Sequence, residues 1–308
     1  MRQLQCFVVL AEELNFTRAA VRLNMSQPPL SLQIQSLERE IGAELFDRSS
    51  RKIALTAAGA SFERRARTIL AQHDRALLEI HEAQSGRQGQ LDIGTTGSIL
   101  RSGLADLLMR FSAEYPGITV RLHEKSPALQ VSDLVSGRLD VSFNRSAPAH
   151  DDLTHTLAWQ EELVVLLPEG HPLGGKATVS IDELRGETHI ILRPDSSDFA
   201  AYIQSLLTGG RFQLKVSQQI IDAQSIPSLV AAGFGVSIVP AGIARLTAGP
   251  LVFRQIAPDP PLSDIHAVYH RHLRTPALEA LLLALRSSDG SKGGSRIVRI
   301  SDRDMDYR

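Results

Sequence analysis

The sequence predicts an α/β protein in two parts: an all-helical first part ending in one long helix, then two α/β lobes. Three observations predict it. Apolar residues recur at helical spacing through roughly the first 85 positions. A polar, glycine-bearing break follows, Gln84-Ser85-Gly86-Arg87-Gln88-Gly89. Beyond it, short apolar runs alternate with helical patterns, and the alternation recurs. The 308 residues suffice for two domains.

The elements follow in order. Leu4, Phe7, Val8, Ala11 and Leu14 mark a first helix, broken at Asn15-Phe16-Thr17. Thr17 is the expected cap of a second, Arg18 to Leu23. Asn24-Met25 makes a tight turn, and Ser26 is the expected N-cap of a third. Pro28 and Pro29 fall in its first turn, where backbone N–H groups lack intrahelical partners anyway. Leu30, Ile34, Leu37 and Ile41 continue it and Gly42 ends it. Extended pieces at 45–48 and 53–56 flank the basic turn Ser49-Ser50-Arg51-Lys52 and predict a hairpin. Thr56 then caps a long helix from Ala57 to about Gln84. Along it Phe62, Ala66, Ile69, His73, Ala76, Ile80 and Ala83 alternate in steps of four and three, the pattern of a seam between two chains.

In the second part, strands are expected at Leu91–Thr95, Ile118–His123 and Leu139–Phe143, with helices at Leu100–Phe111 and Pro127–Val135. The order recurs at Leu163–Leu167, Ile190–Leu192, Phe199–Leu207, Leu214–Val216, Ile226–Ala232 and Val236–Val239. Such alternation predicts parallel sheets, and two successive lobes predict a cleft between them. From Leu285 onward the chain is low in complexity, and the tail is expected to be disordered.

Composition narrows the function. At 43% hydrophobic and 22% charged, the chain is neither disordered nor collagen-like. A formal charge of −1 supplies no global field toward nucleic acid or membrane, which leaves room for a local patch. Of the 33 basic residues 5 are lysine and 28 arginine, a bias toward the planar, bidentate side chain. The one cysteine, Cys6, excludes an internal disulfide and reads as a small buried hydrophobe. The apolar run from Cys6 to Ala11 is cut by Glu12-Glu13, and no stretch approaches the ~18 apolar residues of a membrane span. A cytoplasmic protein without membrane association is expected.

Residues 17 to 41 have the shape of a helix-turn-helix. The third helix opens with Ser26-Gln27-Pro28-Pro29 at the end that enters the major groove in this motif, where the helix dipole favours phosphate. The hairpin beside it is basic: six basic residues from Arg48 to Arg67 stand against Glu63 alone. It reads as a wing that reaches the adjacent minor groove. The long helix supplies the two-fold pairing that half-sites need. Candidate DNA-binding residues are therefore Thr17, Arg18, Ser26, Gln27, Pro28, Pro29, Ser31, Gln33, Arg51 and Lys52.

Taken together these segments resemble the LysR-type transcriptional regulators. The carrying motifs are Phe16-Thr17-Arg18-Ala19-Ala20, Ser26-Gln27-Pro28-Pro29-Leu30-Ser31, Leu37-Glu38, Gly42 to Arg48 and Leu55 to Gly59. Further on, Gly137-Arg138-Leu139-Asp140, His171-Pro172-Leu173 and Leu229 to Gly235 extend the resemblance to about residue 286. It implies a winged helix-turn-helix over 1–58, a dimerising linker helix over 59–88, a two-lobed, periplasmic-binding-protein-like effector domain over 89–286 and a tail over 287–308. It implies a ligand-responsive regulator that binds operator DNA as a dimer of dimers. Its partners would be double-stranded operator DNA, a small anionic effector such as an organic acid, further copies of itself and RNA polymerase. One departure is Leu32, where many members carry a basic residue.

The effector site is expected at the C-terminal strand ends, where open α/β sheets bind ligands. Thr96, Ser98 and Ser126 put hydroxyls at helix starts, which favour anions. Arg145 and Arg193 would form a carboxylate fork, with Phe199 and Ile226 as apolar walls. Rival chemistry is weaker. Gly170 to Lys176 has phosphate-loop spacing, but Ala177 replaces the magnesium-binding hydroxyl and Pro172 removes a cradling N–H. His266, His270 and His272 cluster near a strand with shared parity but lack a clear carboxylate or cysteine partner for zinc. No catalytic residue, metal or cofactor is expected. The alternative is a solute-binding protein or enzyme built on the two-lobed domain, which residues 1–84 disfavour.

Overall fold

The computed structural model describes residues 1–48, 53–84, 89–194, 197–209, 213–244, 249–287 and 297–298. They divide into two compact units, Met1–Gln88 with Val135–Arg138, and Gly89–Leu134 with Leu139–Arg308.

The first unit begins with α1 (Arg2–Glu13), α2 (Phe16–Arg22) and α3 (Gln27–Ile41). Asn15, not Thr17, caps α2: its side chain accepts the Arg18 amide at 3.0 Å, and Thr17 lies inside the helix. The shorter amide side chain one position before Phe16 satisfies an orphan first-turn N–H. Ser26 stands at the N-cap of α3, yet its hydroxyl makes no capping bond. Gly42 ends the helix at φ 74°, a left-handed conformation that costs a residue with a Cβ. Then β1 (Phe46–Asp47) pairs antiparallel with β2 (Ala54–Leu55), and α4 (Ala57–Gln84) follows. Thr56 caps α4 by accepting the Gly59 amide at 2.9 Å.

Leu30, Ile34 and Leu37 of α3 pack with Cys6, Phe7 and Leu10 of α1. Burial pushes the Cys6 thiol above its usual pKa, as expected of a packed hydrophobe. Phe62 and Ala66 belong to this core, Phe62 edge-on to Phe7 at 5.0 Å, so the first part of the expected seam packs within its own chain. Ile69 and Ala76 are exposed and remain available to a partner. The side chains of Ile80 and Ala83 lie outside the described residues.

The second unit opens with β3 (Gly89–Thr95), α5 (Gly97–Ile99), a wide turn over Leu100–Leu104, α6 (Ala105–Glu114), β4 (Ile118–Glu124), α7 (Pro127–Val135) and β5 (Val141–Asn144). The helix expected from Leu100 is interrupted at Ser102 and Gly103, whose φ is 117°. Here β3 pairs parallel with both β4 and β5, as helical crossovers require. The chain continues through β6 (Leu153–Pro168), β7 (Thr178–Val179), α8 (Ile181–Leu184), β8 (Thr188–Leu192), α9 (Asp198–Thr208), β9 (Lys215–Ile220), α10 (Ile226–Ala231) and β10 (Ser237–Pro240). It ends with α11 (Ala241–Ala244), β11 (Leu251–Ile256), β12 (Leu262–His270), α12 (Pro276–Ser287) and β13 (Ile297–Val298).

The sheets are mixed rather than parallel throughout. The 16-residue β6 runs through both lobes: Leu153 to Glu162 pairs antiparallel with β12, and Leu163 to Pro168 pairs antiparallel with β10 and β11. Only its apolar second half was legible as a strand, since Val164 to Leu167 is buried on both faces. Its first half carries the polar run Thr154-His155-Thr156, where the strand is only partly buried. In the second lobe β8 and β9 pair parallel, with a bridge from His189 to Val236. Within the tail expected to be disordered, Ile297 and Val298 pair parallel with Gln160 and Glu161.

Each lobe has its own core. In the first, α6 and α12 bury Phe111, Leu278 and Leu281 against Leu91, Phe143 and Trp159. In the second, α9 and α10 pack on opposite faces of the sheet, burying Ile203 with Val165 and Val230 with Val164. Among the described residues no helix is long and apolar enough to cross a membrane.

Candidate functional site

Helix α3 buries Leu30, Ile34 and Leu37 and so turns Pro28, Leu32, Gln35 and Arg39 outward. Ser26, Gln27, Pro28 and Pro29 are all exposed at its start. Ser31 on the flank and Gln33 beside the packed stripe are both half-buried, less accessible than the other described contacts. Leu32 is 62% exposed, and sequence reading did not place it or Gln35 and Arg39 among the contacts. The helical period opposite Leu30 and Leu37 was the signal that could have found them.

Neighbouring side chains position this face. Thr17 Oγ1 lies 3.5 Å from Gln27 Oε1 across the turn. Arg18 is exposed, with its Nε 3.2 Å from Glu13 Oε2. Glu38 accepts the backbone amides of Leu45 and Phe46 at 2.9 and 3.2 Å and pairs with Arg48 at 2.7 Å, which fastens β1 to α3. Arg51 and Lys52 lie outside the described residues.

The second unit encloses a cavity of about 530 Å³ at the strand ends. Thr96, Ser98, Ser126, Arg145 and Phe199 line it, which brings five of the seven predicted effector residues together. The hydroxyls of Thr96 and Ser98 lie 3.3 Å apart, and Thr96 does not spend its hydroxyl on capping α5. Pro127, Val131, Leu192 and Ile221 add apolar wall.

Two predicted residues are elsewhere. Ile226 is 2% exposed in the core against the sheet, at the first turn of α10. Arg193 is exposed and is not part of the cavity lining. Strand period and helix face assign a residue to a side of its element, but the neighbouring lobe decides what that side meets.

Arg145 also differs from an open fork. Its Nη1 lies 2.8 Å from Glu161 Oε2 and donates to Ser263 Oγ at 2.9 Å. The two side chains are 5% and 0% exposed. Glu161 in turn accepts the Gly242 amide at 2.6 Å. The guanidinium lies 4.9 Å from the Phe199 ring centroid, a cation–π contact. Nε and Nη2 of Arg145 are buried without a partner, as is Oδ1 of the adjacent Asn144. Lys125 Nζ, also on the lining, is 2.5 Å from Asp133 Oδ2. Gln224 bridges the two lobes, with its Nε2 3.5 Å from Glu124 Oε1. It fits there because residue 97 is glycine: a Cβ at that position would come 1.9 Å from Gln224 Nε2.

Among the described residues no group of three or more His, Cys, Asp or Glu side chains is arranged to hold a metal. His270 and His272 stack edge to face at 6.1 Å.

Two domain families match the chain: the bacterial regulatory helix-turn-helix proteins of the lysR family over residues 1–60, and the LysR substrate binding domain over 84–289. The chain belongs to the LysR family. Its relatives include the HTH-type transcriptional regulators YnfL and XapR of Escherichia coli K12. YnfL is 36% identical over 276 residues, 88% of this chain and 92% of its own length. XapR is 32% identical over 286 residues, 92% of this chain and 97% of its own. The structure of full-length CbnR with its target DNA superposes at a TM-score of 0.72, with 29% identity over 93% of this chain and 99% of CbnR. As a LysR-type protein the chain is a DNA-binding transcription regulator with an effector-binding domain. Its relatives are regulators and not solute-binding proteins, so the alternative built on the two-lobed domain alone falls away.

Proposed function

We propose that this regulator binds its operator as a dimer of dimers in the cytoplasm, acts on RNA polymerase there, and is switched by a small carboxylate held in the cavity of the second unit. The start of α3 reads base edges through Gln27, with Pro28 and Pro29 against thymine methyl groups. Arg51 and Lys52 contact phosphate from the wing. Exposed Ile69 and Ala76 of α4 join two chains.

The observation that carries the effector reading is the pair of unpartnered, buried donors on Arg145 at the cavity wall. A buried guanidinium N–H without an acceptor costs stability until a ligand satisfies it. A carboxylate accepts two such donors side by side. Binding shifts the lobes only insofar as the ligand prefers one arrangement over the other. The test is DNA footprinting with and without candidate carboxylates, alongside calorimetric titration of the same compounds. A footprint that changes with a titrating carboxylate is the expected result. Effectors that bind outside the cavity, or that lack a carboxylate, overturn the reading.

A further inference from the structure

The charges lining the effector cavity are unequal, and the imbalance narrows the ligand. Lys125 and Arg145 are the cations on the lining among the described residues, and each is already paired with a buried carboxylate, Asp133 and Glu161. Glu124, Asp198 and Asp222 also line the cavity, and among the described residues no lining cation is left over to offset them. Gln224 contacts Glu124 and Asp222 through neutral donors, its Nε2 to Glu124 and its backbone N–H to Asp222. A plain anion would therefore meet the unpaired donors of Arg145 in a field that repels it.

The unsatisfied atoms specify the remedy. Arg145 Nε and Nη2 lack an acceptor, and Asn144 Oδ1 lacks a donor, while the Asn144 Nδ2 donates to Ser142 Oγ at 2.7 Å. Both residues line the cavity at the end of β5, so a ligand that carries a donor as well as an acceptor would answer both. Building on the carboxylate reading of this cavity, we infer that the effector is zwitterionic, an amino acid or a similar amino-carboxylate. Its carboxylate takes the free edge of Arg145, and its ammonium takes Asn144 Oδ1 and the acidic lining. Phe199, Val131 and Ile221 supply apolar wall for its side chain.

The test is thermal unfolding of the full chain with the proteinogenic L-amino acids, their des-amino acids and their decarboxylated amines, followed by calorimetric titration. At least one amino acid should raise the unfolding temperature, and its des-amino acid and amine should each bind at least ~10-fold more weakly. Glu124→Gln combined with Asp222→Asn should weaken the amino acid and leave the des-amino acid unchanged or improved. Arg145→Lys keeps a cation beside Glu161 but removes the planar fork, so both compounds should weaken. A des-amino acid that binds as well as its amino acid, or indifference to the Glu124/Asp222 pair, overturns the zwitterion and leaves the carboxylate reading standing. If no compound with a carboxylate binds, both fall.

Discussion

The two units present their ligands with opposite surfaces. The outward face of α3 is exposed and holds few internal bonds, and its candidate contacts sit on one short helix start. In the cavity of the second unit the two lining cations are paired before any ligand arrives, Arg145 with Glu161 and Lys125 with Asp133. An open face leaves side chains free to follow a DNA groove, with affinity from phosphate contacts and discrimination from base edges. A pre-paired cavity discriminates by the few atoms left unsatisfied, because mispairing them costs the most where water is excluded.

The sharpest way to break this contrast is to remove half of the buried pair. Arg145→Ala leaves the Glu161 carboxylate buried without its cation and should destabilise the second unit by about 3–5 kcal/mol. Replacing both together, Arg145→Met with Glu161→Gln, should recover most of that loss, because no charge is left buried. Denaturant unfolding of the variants provides the measurement. A single variant as stable as the parent would show the pair to be solvent-screened, and the contrast with α3 would lose its basis. An alanine at Arg145 is thus a poor probe of ligand response, and the lysine variant, which keeps a cation beside Glu161, is the better one.

Next in size is the assembly contact. Ile69 is 43% exposed in the single chain, one turn beyond Ala66, which is fully buried in the first unit's own core. Ile69→Asp would place a charge in the proposed seam and should raise the dimer dissociation constant at least ~100-fold, about 2.7 kcal/mol. Sedimentation at micromolar concentration reads the outcome, and an unchanged dimer places the seam elsewhere. Phe62→Ala should instead cost stability of the first unit, because that ring packs on Phe7.

On the open face the expected effects are smaller and sequence-dependent. Gln27→Ala should relax preference at one base pair by about 1–3 kcal/mol. Leu32→Ala should do so at one A·T pair, through loss of apolar contact with the thymine methyl group. Arg51→Ala should lower affinity evenly across sites and reduce the salt slope by ~1. Binding titrations over operator variants at several salt concentrations separate these patterns. Uniform losses for Gln27 and Leu32 would show that the face positions the protein and does not read bases.

The same contrast explains what the sequence made legible. Proline at the first turn of α3, Gly42 past its end, Thr56 before α4 and the apolar period between them act within a few residues, so the helix-turn-helix and its hairpin were readable locally. The cavity needed tertiary information. Thr96, Ser98, Ser126 and Arg145 come together on the cavity lining because strand ends converge there by topology. Glu161 and Ser263 were missed because each is distant in sequence from Arg145 and nothing local marks a buried carboxylate inside a strand. Ile226 was misplaced because an apolar residue at a helix start reads equally well as wall or core. The antiparallel pairing of β6 with β12 was hidden by the contiguous polar run Thr154-His155-Thr156, which gives no strand period.

The smallest expected effect separates the units by acid sensitivity. Burial holds His189 below the ordinary histidine pKa, with its Nε2 2.8 Å from the Leu184 carbonyl and Glu187 as the nearby charge. Burial and the neighbouring His155 likewise lower His266, against a weaker opposite pull from Asp264. Both lie in the second unit, whereas His73 of α4 is exposed. A histidine whose folded pKa is depressed contributes stability that is fully present above its unfolded pKa of about 6.5. That stability is lost as pH falls, because the unfolded chain takes up a proton the folded chain refuses. The slope cannot exceed about 1.4 kcal/mol per pH unit for each histidine, and it levels off once the folded group titrates too. Below pH 6.5 the second unit should therefore weaken first. Unfolding at pH 7.5 and 5.5, followed by the Trp159 fluorescence of the second unit, tests this. A stability that is flat or rising toward pH 5.5 would mean that His189 and His266 protonate in place, and that the second unit's interior is wetter than its burial implies.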